Sequence, residues 1–480
     1  MDGATNMSGA DVSRSGVTDS GHPVRPFPAG LRAQVARLVK LAGERGEAGA
    51  ARRLAGGAFI MRVVNAGLGF ATQILLARWM GGVEYGIYAY LWVWVLFVGG
   101  VGSLGLPVAA LKFIPDYTMR GDLAGLRGFL RHARMLGLAP SLVAALAGGV
   151  ALLAFRLGDG AGALAPYLPA ALFALATLPV YVLMDVQTGI ARAYDFADLG
   201  LVADYLVRPL LTLVLVAGLA VAGGPSAAGS VMGMTFAAVA LTALVQGVVL
   251  QRRLDARIPQ GPARAELRRW TEVCAPLLVV AGFFLLLGST DVLLLKAFVG
   301  PEEIARYFAA TKIVAVGSFV AYGVAATSSH RFAAQAVSGD REASAKLAIE
   351  TVRWTFWPTL AVILGLTALS KPLLSLFGPD YAAAWPIVAI LSLGLLAQAS
   401  VGPVDRALAM QDQVGVTARI YGASFAANVA LGLVLIPALG LEGAALATAL
   451  TFAAKSAMLC VSARRRLGLD MFVLTAGRAA

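Results

Sequence analysis

Residues 203–250 read ADYLVRPLLTLVLVAGLAVAGGPSAAGSVMGMTFAAVALTALVQGVVL. Two apolar stretches, 203–223 and 230–250, flank a turn built on Gly223, Gly224 and Pro225. A helix rises about 1.5 Å per residue, so about 20 apolar residues cross the ~30 Å hydrocarbon core of a bilayer. In hydrocarbon the backbone has no water to bond, and an isolated strand would leave its polar groups unsatisfied. The segment therefore predicts two transmembrane helices joined by a short turn.

Working outward, the same pattern fills the chain. Predicted spans cover 55–77, 85–110, 135–155, 167–188, 203–223, 230–250, 272–297, 304–327, 354–376, 384–404, 416–436 and 442–462. This is an all-α integral membrane protein of about 12 transmembrane helices. Composition agrees: 59% of the residues are hydrophobic and 14% charged, where a soluble chain carries about 25% charged residues. Mean hydropathy is +0.76. A net charge of +12 invites nucleic acid as a partner, but the basic residues recur between apolar stretches, as membrane topology requires. No nucleic acid is expected. Cys274 and Cys460 both fall in spans, and His22, His132 and His330 are scattered, so neither a disulfide framework nor a metal site is predicted.

Met1 to Ala50 has no apolar run and therefore no signal peptide. Asp2 to Gly30 is rich in Gly, Ser, Asp and Pro and reads as disordered. From Leu31 to Ala42 apolar and basic residues fall on opposite helical faces, which fits a helix on anionic lipid or a partly ordered linker. Placing the N-terminus inside puts about 31 of the 39 lysines and arginines in the two tails and the connections near 112–134, 189–208, 251–271, 328–353 and 405–419, against about five (Arg78, Arg156, Lys296, Arg306, Lys371) in the opposite connections. Both termini are thus expected in the cytoplasm, and the membrane is expected to be the bacterial inner membrane.

The two halves look alike at a shift of about 219 residues. Gly81-Gly82-Val83-Glu84 with Tyr88 matches Gly300-Pro301-Glu302-Glu303 with Tyr307; Lys112-Phe113 matches Arg331-Phe332, and Gly121-Asp122 matches Gly339-Asp340. Six spans per half give both halves the same orientation, hence two six-helix lobes related by a pseudo-twofold axis along the membrane normal, with a path between them. The expected organisation is a tail over 1–50, a lobe over 51–252, a cytoplasmic connection over 253–271, a second lobe over 272–466 and a tail over 467–480.

The stretch from Leu75 to Tyr88 (LLARWMGGVEYGIY) resembles the start of polysaccharide-biosynthesis flippases. So do Ser103-Leu104-Gly105-Leu106-Pro107 with Ile114-Pro115, Leu376-Phe377-Gly378-Pro379-Asp380-Tyr381, and Asn428 to Ala449. These are the O-antigen and capsule-repeat translocases of the superfamily that also holds multidrug and toxin extruders and lipid II flippases. The resemblance covers about residues 50–466 and implies alternating access with passage of a lipid-linked oligosaccharide from the inner to the outer leaflet. Pathway partners would be a polysaccharide polymerase and glycosyltransferases, and with no ATP motif the energy is expected from an ion gradient (Na+ or H+), the membrane potential or downstream consumption of substrate.

Within the spans, charge is rare and informative. Arg62, Asn65, Gly69 and Gln73 share an arc of about 80° on the first span, a polar face suited to a cavity. Arg62 lies near the span's inner end, where it either lines that cavity or snorkels to headgroups. Asp291 and Lys312 sit at matching depth in the seventh and eighth spans. They read either as an interhelical ion pair or, with Arg62, as a lining for a pyrophosphate, since Lys and Arg suit phosphate oxygens. The predicted substrate-binding residues are Arg62, Asn65, Gln73, Asp291 and Lys312. Lys455 reads as snorkelling. Tyr85, Tyr88 and Trp92 share a face and read either as aromatics that stack on sugar rings or, the favoured reading, as membrane-interface aromatics. Gly100 to Gly105 fits G-x-G-x-x-G inside a span, where it means close helix packing, and no Walker A sequence exists. No ATP site, cofactor or catalytic constellation is expected.

Overall fold

The computed structural model describes residues 47–157, 165–338, 341–411 and 413–475, with side chains from residue 64 apart from 280, 326–327, 329–331, 333–338 and 341. The chain divides into two compact units, Met1–Gly56 and Gly57–Ala480. The first is described only from Glu47, so the 2–30 stretch expected to be disordered and the 31–42 segment lie outside the described residues, as do Gly339 and Asp340.

All regular structure among the described residues is helical. The first half holds α1 (Glu47–Gly102), α2 (Leu106–Met119), α3 (Leu123–Leu157), α4 (Leu168–Ala193), α5 (Arg208–Val221) and α6 (Ala228–Arg257). The second holds α7 (Leu267–Leu287), α8 (Thr290–Leu295), α9 (Pro301–Ser338), α10 (Arg341–Ala368), α11 (Ser370–Ser375), α12 (Trp385–Ala399), α13 (Val404–Met410) and α14 (Val414–Leu467). Among the described residues, ten continuous stretches are long and apolar enough to cross a membrane. Two of them carry two spans each. In α1 the backbone leaves helical geometry at Gly81 (φ 77°, ψ 170°), and in α14 at Gly440 (φ 58°, ψ −129°); positive φ is a conformation that glycine adopts without strain. The chain doubles back at both. Tyr85 donates to Gln73 Oε1 at 2.9 Å, although residues twelve apart on one straight helix stand about 18 Å apart. A Cβ on Gly443 would meet the Leu435 carbonyl oxygen at 2.0 Å. Among the described residues this gives the twelve spans expected.

The repeat has a structural counterpart. Tyr88 meets Thr235 of the sixth span at 3.5 Å. Its mate Tyr307 bonds Thr448 of the twelfth and donates to Asp291 at 2.6 Å. Buried threonines elsewhere turn their hydroxyls onto their own helix, Thr72 to Leu68 O at 2.8 Å and Thr242 to Ala238 O at 2.7 Å, which satisfies them inside hydrocarbon.

The lobes meet at one end. A single apolar cluster there takes Leu76, Tyr85 and Tyr88 from the first lobe and Leu295, Ile304, Phe308, Phe377 and Tyr381 from the second. Arg78 Nε donates to Leu376 O at 2.6 Å, and Lys296 stands over the Tyr167 ring at 4.5 Å, both across the lobes. Gly86 packs backbone to backbone, since a Cβ there would sit 1.8 Å from the Pro301 carbonyl oxygen. Toward the other end the buried apolar residues divide into two separate clusters, with only α7 of the second half, among the described residues, packed on the first lobe. One cluster joins Phe113, Phe129 and Leu250 of the first lobe to Trp270 and Cys274; another, with Phe332, Val352, Val404 and Leu459, belongs to the second lobe alone.

A candidate substrate cavity between the lobes

Between the closed end and the divided end lies a cavity of about 250 Å³. Asn65, Gly69, Thr72 and Gln73 of the first arm of α1 form one wall, and Tyr88 and Trp92 of its second arm the next. Arg208 and Thr212 of α5, Thr235 of α6 and Lys312 of α9 complete it. The polar face read on the first span thus lines the cavity through Asn65 and Gln73. The side chain of Arg62, one turn from Asn65 on that helix, lies outside the described residues. Gln73 accepts from Tyr85, which leaves its amide hydrogens for another acceptor.

Lys312 lines the cavity as well, but without Asp291. Its ammonium stands over the Phe308 ring at 4.0 Å, and no carboxylate among the described residues lies within ion-pairing distance. Asp291 is committed elsewhere. The seventh span breaks at Gly288 and Ser289, so Asp291 falls in the first turn of α8, where Oδ1 accepts the Val292 N–H at 2.8 Å and Oδ2 the Tyr307 hydroxyl at 2.6 Å. Of the two readings of Asp291 and Lys312, a close ion pair is not seen among the described residues; the two charges interact only through space, and Asp291 lies outside the cavity lining.

Sequence reasoning missed Arg208 as a lining residue: it lies within the predicted span 203–223 but was counted with the basic residues of the overlapping 189–208 connection. The structure puts it inside the fifth span. A proline within a helix cannot donate to the carbonyl four residues back, and its ring crowds that carbonyl. Ahead of Pro209 the chain absorbs this as a π-helical stretch, Asp198–Val207, with the Arg208 N–H bonded to Ala203 O. Such wide turns concentrate at functional sites. The Arg208 guanidinium bonds Asp204 Oδ1 at 3.2 Å and lies 5.9 Å from the Trp92 ring centroid. The signal was an arginine beside a proline in an apolar run. Tyr88 and Trp92 are likewise cavity wall rather than interface anchors, being 2% and 8% exposed. Lys455 does not snorkel. It is buried, with Nζ 3.4 Å from Gln398 Oε1 and 4.5 Å from the Phe452 ring.

Two cations, two primary amides and several hydroxyls facing one space can bind an anion through charge-assisted hydrogen bonds. Residues 56–329, more than half the chain, match the family described as polysaccharide biosynthesis protein. The chain belongs to that family. None of the curated proteins matches it in sequence. Among solved structures, it is similar to a multidrug resistance MATE family transporter of the MOP superfamily in an inward-facing conformation, with TM-score 0.68 and 16% identity over 88% of this chain and 99% of that one. It is similar to the lipid II flippase MurJ in an inward closed conformation, with TM-score 0.67 and 15% identity over 84% and 87%. A third is a MOP superfamily transporter from Pyrococcus furiosus Vc1 (DSM3638), described as having a binding pocket of reversed polarity, with TM-score 0.60 and 17% identity over 86% and 95%. This member of the polysaccharide biosynthesis family therefore has the two-lobed, twelve-helix fold of these membrane transporters.

Proposed function

We propose that the chain is a flippase that moves a polyprenyl-pyrophosphate-linked oligosaccharide from the cytoplasmic to the outer leaflet by alternating access, for cell-surface polysaccharide assembly. The observation that carries this reading is the inter-lobe cavity with Arg208 on one lobe and Lys312 on the other. No carboxylate lines it among the described residues. A diphosphate is the part of such a cargo that needs cations, and a site bridging both lobes senses their relative position. Arg208 is paired with Asp204, so among the described residues Lys312 carries the unpaired positive charge of the lining, and that charge disfavours a cationic multidrug cargo.

The excess of basic residues assigns the divided end to the cytoplasm, together with the 253–271 connection and both tails. The conformation is then closed outside and open inside, ready to load from the inner leaflet. Ion coupling through Na+ or H+ and hand-over from glycosyltransferases to a polymerase outside complete the scheme. Lys312→Gln and Arg208→Gln should each cut glycan export about tenfold or more, the loss expected for a charge-assisted bond of about 1.5–3 kcal/mol. Protein level and detergent stability should stay near wild type for Lys312→Gln. Normal export by both variants, folded and in the membrane, would rule the reading out.

A further inference from the structure

A second cavity, about 880 Å³, lies away from the lobe interface, where α3, the end of α6 and residues 258–263 of the inter-lobe connection meet. Arg127, Arg131 and Arg134 present successive turns of α3 to it, faced by Gln251 and Asp255 of α6. Their commitments differ. Arg127 is used up on the connection, donating to the Pro259 and Pro262 carbonyl oxygens at 2.8 and 3.2 Å. Arg134 is half-used: Nη1 donates to Gln251 Oε1 at 2.7 Å, and Gln251 donates on to Asp255 Oδ1 at 2.7 Å. Its Nε and Nη2 are buried with no acceptor among the described residues. Arg131 is exposed and has no hydrogen-bond or ion-pair partner among the described residues.

A buried guanidinium with unbonded donors is costly, and an oxyanion removes the cost. The planar fork of arginine matches the edge of a phosphate. What surrounds the arginines says what carries that phosphate. From Met135, at the cavity's edge, Leu138 and Leu142 continue the same stripe of α3 toward the middle of the span, and the three are 59%, 37% and 46% exposed. An acyl chain lies along such a stripe while its headgroup occupies the arginine end. A free phosphate would make no use of it.

We propose that this cavity binds the phosphate headgroup of an anionic phospholipid and that the lipid clamps the inter-lobe connection onto α3. The connection is already seated there, with Arg264 N–H on Ala124 O at 2.9 Å and the Gly128 backbone against the Arg264 carbonyl. A headgroup bridging Arg131, Arg134 and the 258–263 segment ties the joint between the lobes to the leaflet from which cargo is loaded. The site is independent of the cargo cavity and stands whatever that cavity carries.

The test is thermal unfolding of the delipidated full chain in detergent, titrated with dioleoyl-phosphatidylglycerol or with sodium pyrophosphate. Phosphatidylglycerol should raise the melting temperature of the wild type, and pyrophosphate should not reproduce the shift. Arg131→Gln with Arg134→Gln should need well over about tenfold more lipid for the same shift, the loss of two charge-assisted bonds. Arg465→Gln, an exposed charge near the end of α14, should respond as wild type. If the double variant does not fold, Arg131→Gln alone, which breaks no internal bond, should still need several-fold more lipid. The proposal is overturned if the wild type shows no shift, if pyrophosphate matches the lipid, or if the folded variants respond at wild-type lipid concentrations.

Discussion

Lys312 and Asp291 stand at similar depth on neighbouring spans, and their opposite charges invite pairing. Their surroundings say otherwise: Tyr307 and the Val292 N–H hold Asp291, while Lys312 faces the cavity over Phe308. Tyr307→Phe should therefore destabilise the protein by about 1–3 kcal/mol, because it strips a buried acceptor of its donor. Lys312→Gln should cost less, since it removes a through-space attraction but no hydrogen bond of Asp291. Thermal unfolding of the two variants checks this; equal destabilisation would show that the charges are tightly paired after all. Helical periodicity revealed which residues of the first span share a face, and so Asn65 and Gln73 were legible. It could not reveal the rotation of one helix against another, nor the break at Gly288 that turns Asp291 toward Tyr307. The roles of Arg208 and Lys455 were misread for a related reason. Distance from a span's end in sequence does not say whether a long side chain finds a lining, a ring or a headgroup.

At the scale of elements, the second arm of α1 and the start of α9 form the closed end. A Cβ on Gly82 would lie 3.8 Å from the Glu302 Cβ, the mean separation in disulfides being about 3.8 Å. With Cys274 and Cys460 replaced by serine, Gly82→Cys with Glu302→Cys should cross-link on mild oxidation and stop transport, and reduction should restore it. Full transport by the oxidised protein would mean that this end never opens. The inter-lobe connection offers a second test. Glu266, just ahead of α7, accepts from the Tyr117 hydroxyl at 2.7 Å, from Arg264 Nε at 2.9 Å and from Arg269 Nη1 at 3.0 Å. The Tyr117 bond first, then the two arginines, lowers its carboxyl from the ordinary 4.5 to about 2. A lowered carboxyl stabilises the docked connection above its unfolded value, and that contribution fades as pH falls from 4.5 toward 2. Hydrogen exchange over residues 258–266, corrected for intrinsic rate, should rise in that window, and Glu266→Gln should abolish the rise. Neither contact was legible in the sequence, because both join segments far apart in the chain.

For the whole molecule, span number and lobe symmetry were legible because hydrocarbon thickness and backbone satisfaction leave few alternatives. The conformation was not, since closure depends on which end of each lobe presents small residues to the other. Reporter fusions after Arg253 and Arg465 should read cytoplasm, and fusions near Pro225 and Pro301 the outside. The reverse pattern for either pair would invert the molecule and with it the assignment of the closed end.

The doubling back at Gly81 and Gly440 has a consequence for how the chain is made. Each pair of spans is linked by a single glycine rather than by a loop, so neither member can wait in the membrane while the other is held on the far side by a hydrophilic linker. The two arms must leave the translocation machinery together as a preformed hairpin. A bulky residue at either glycine should therefore be felt first during synthesis, as retained or degraded chains, before any defect in the finished carrier is seen.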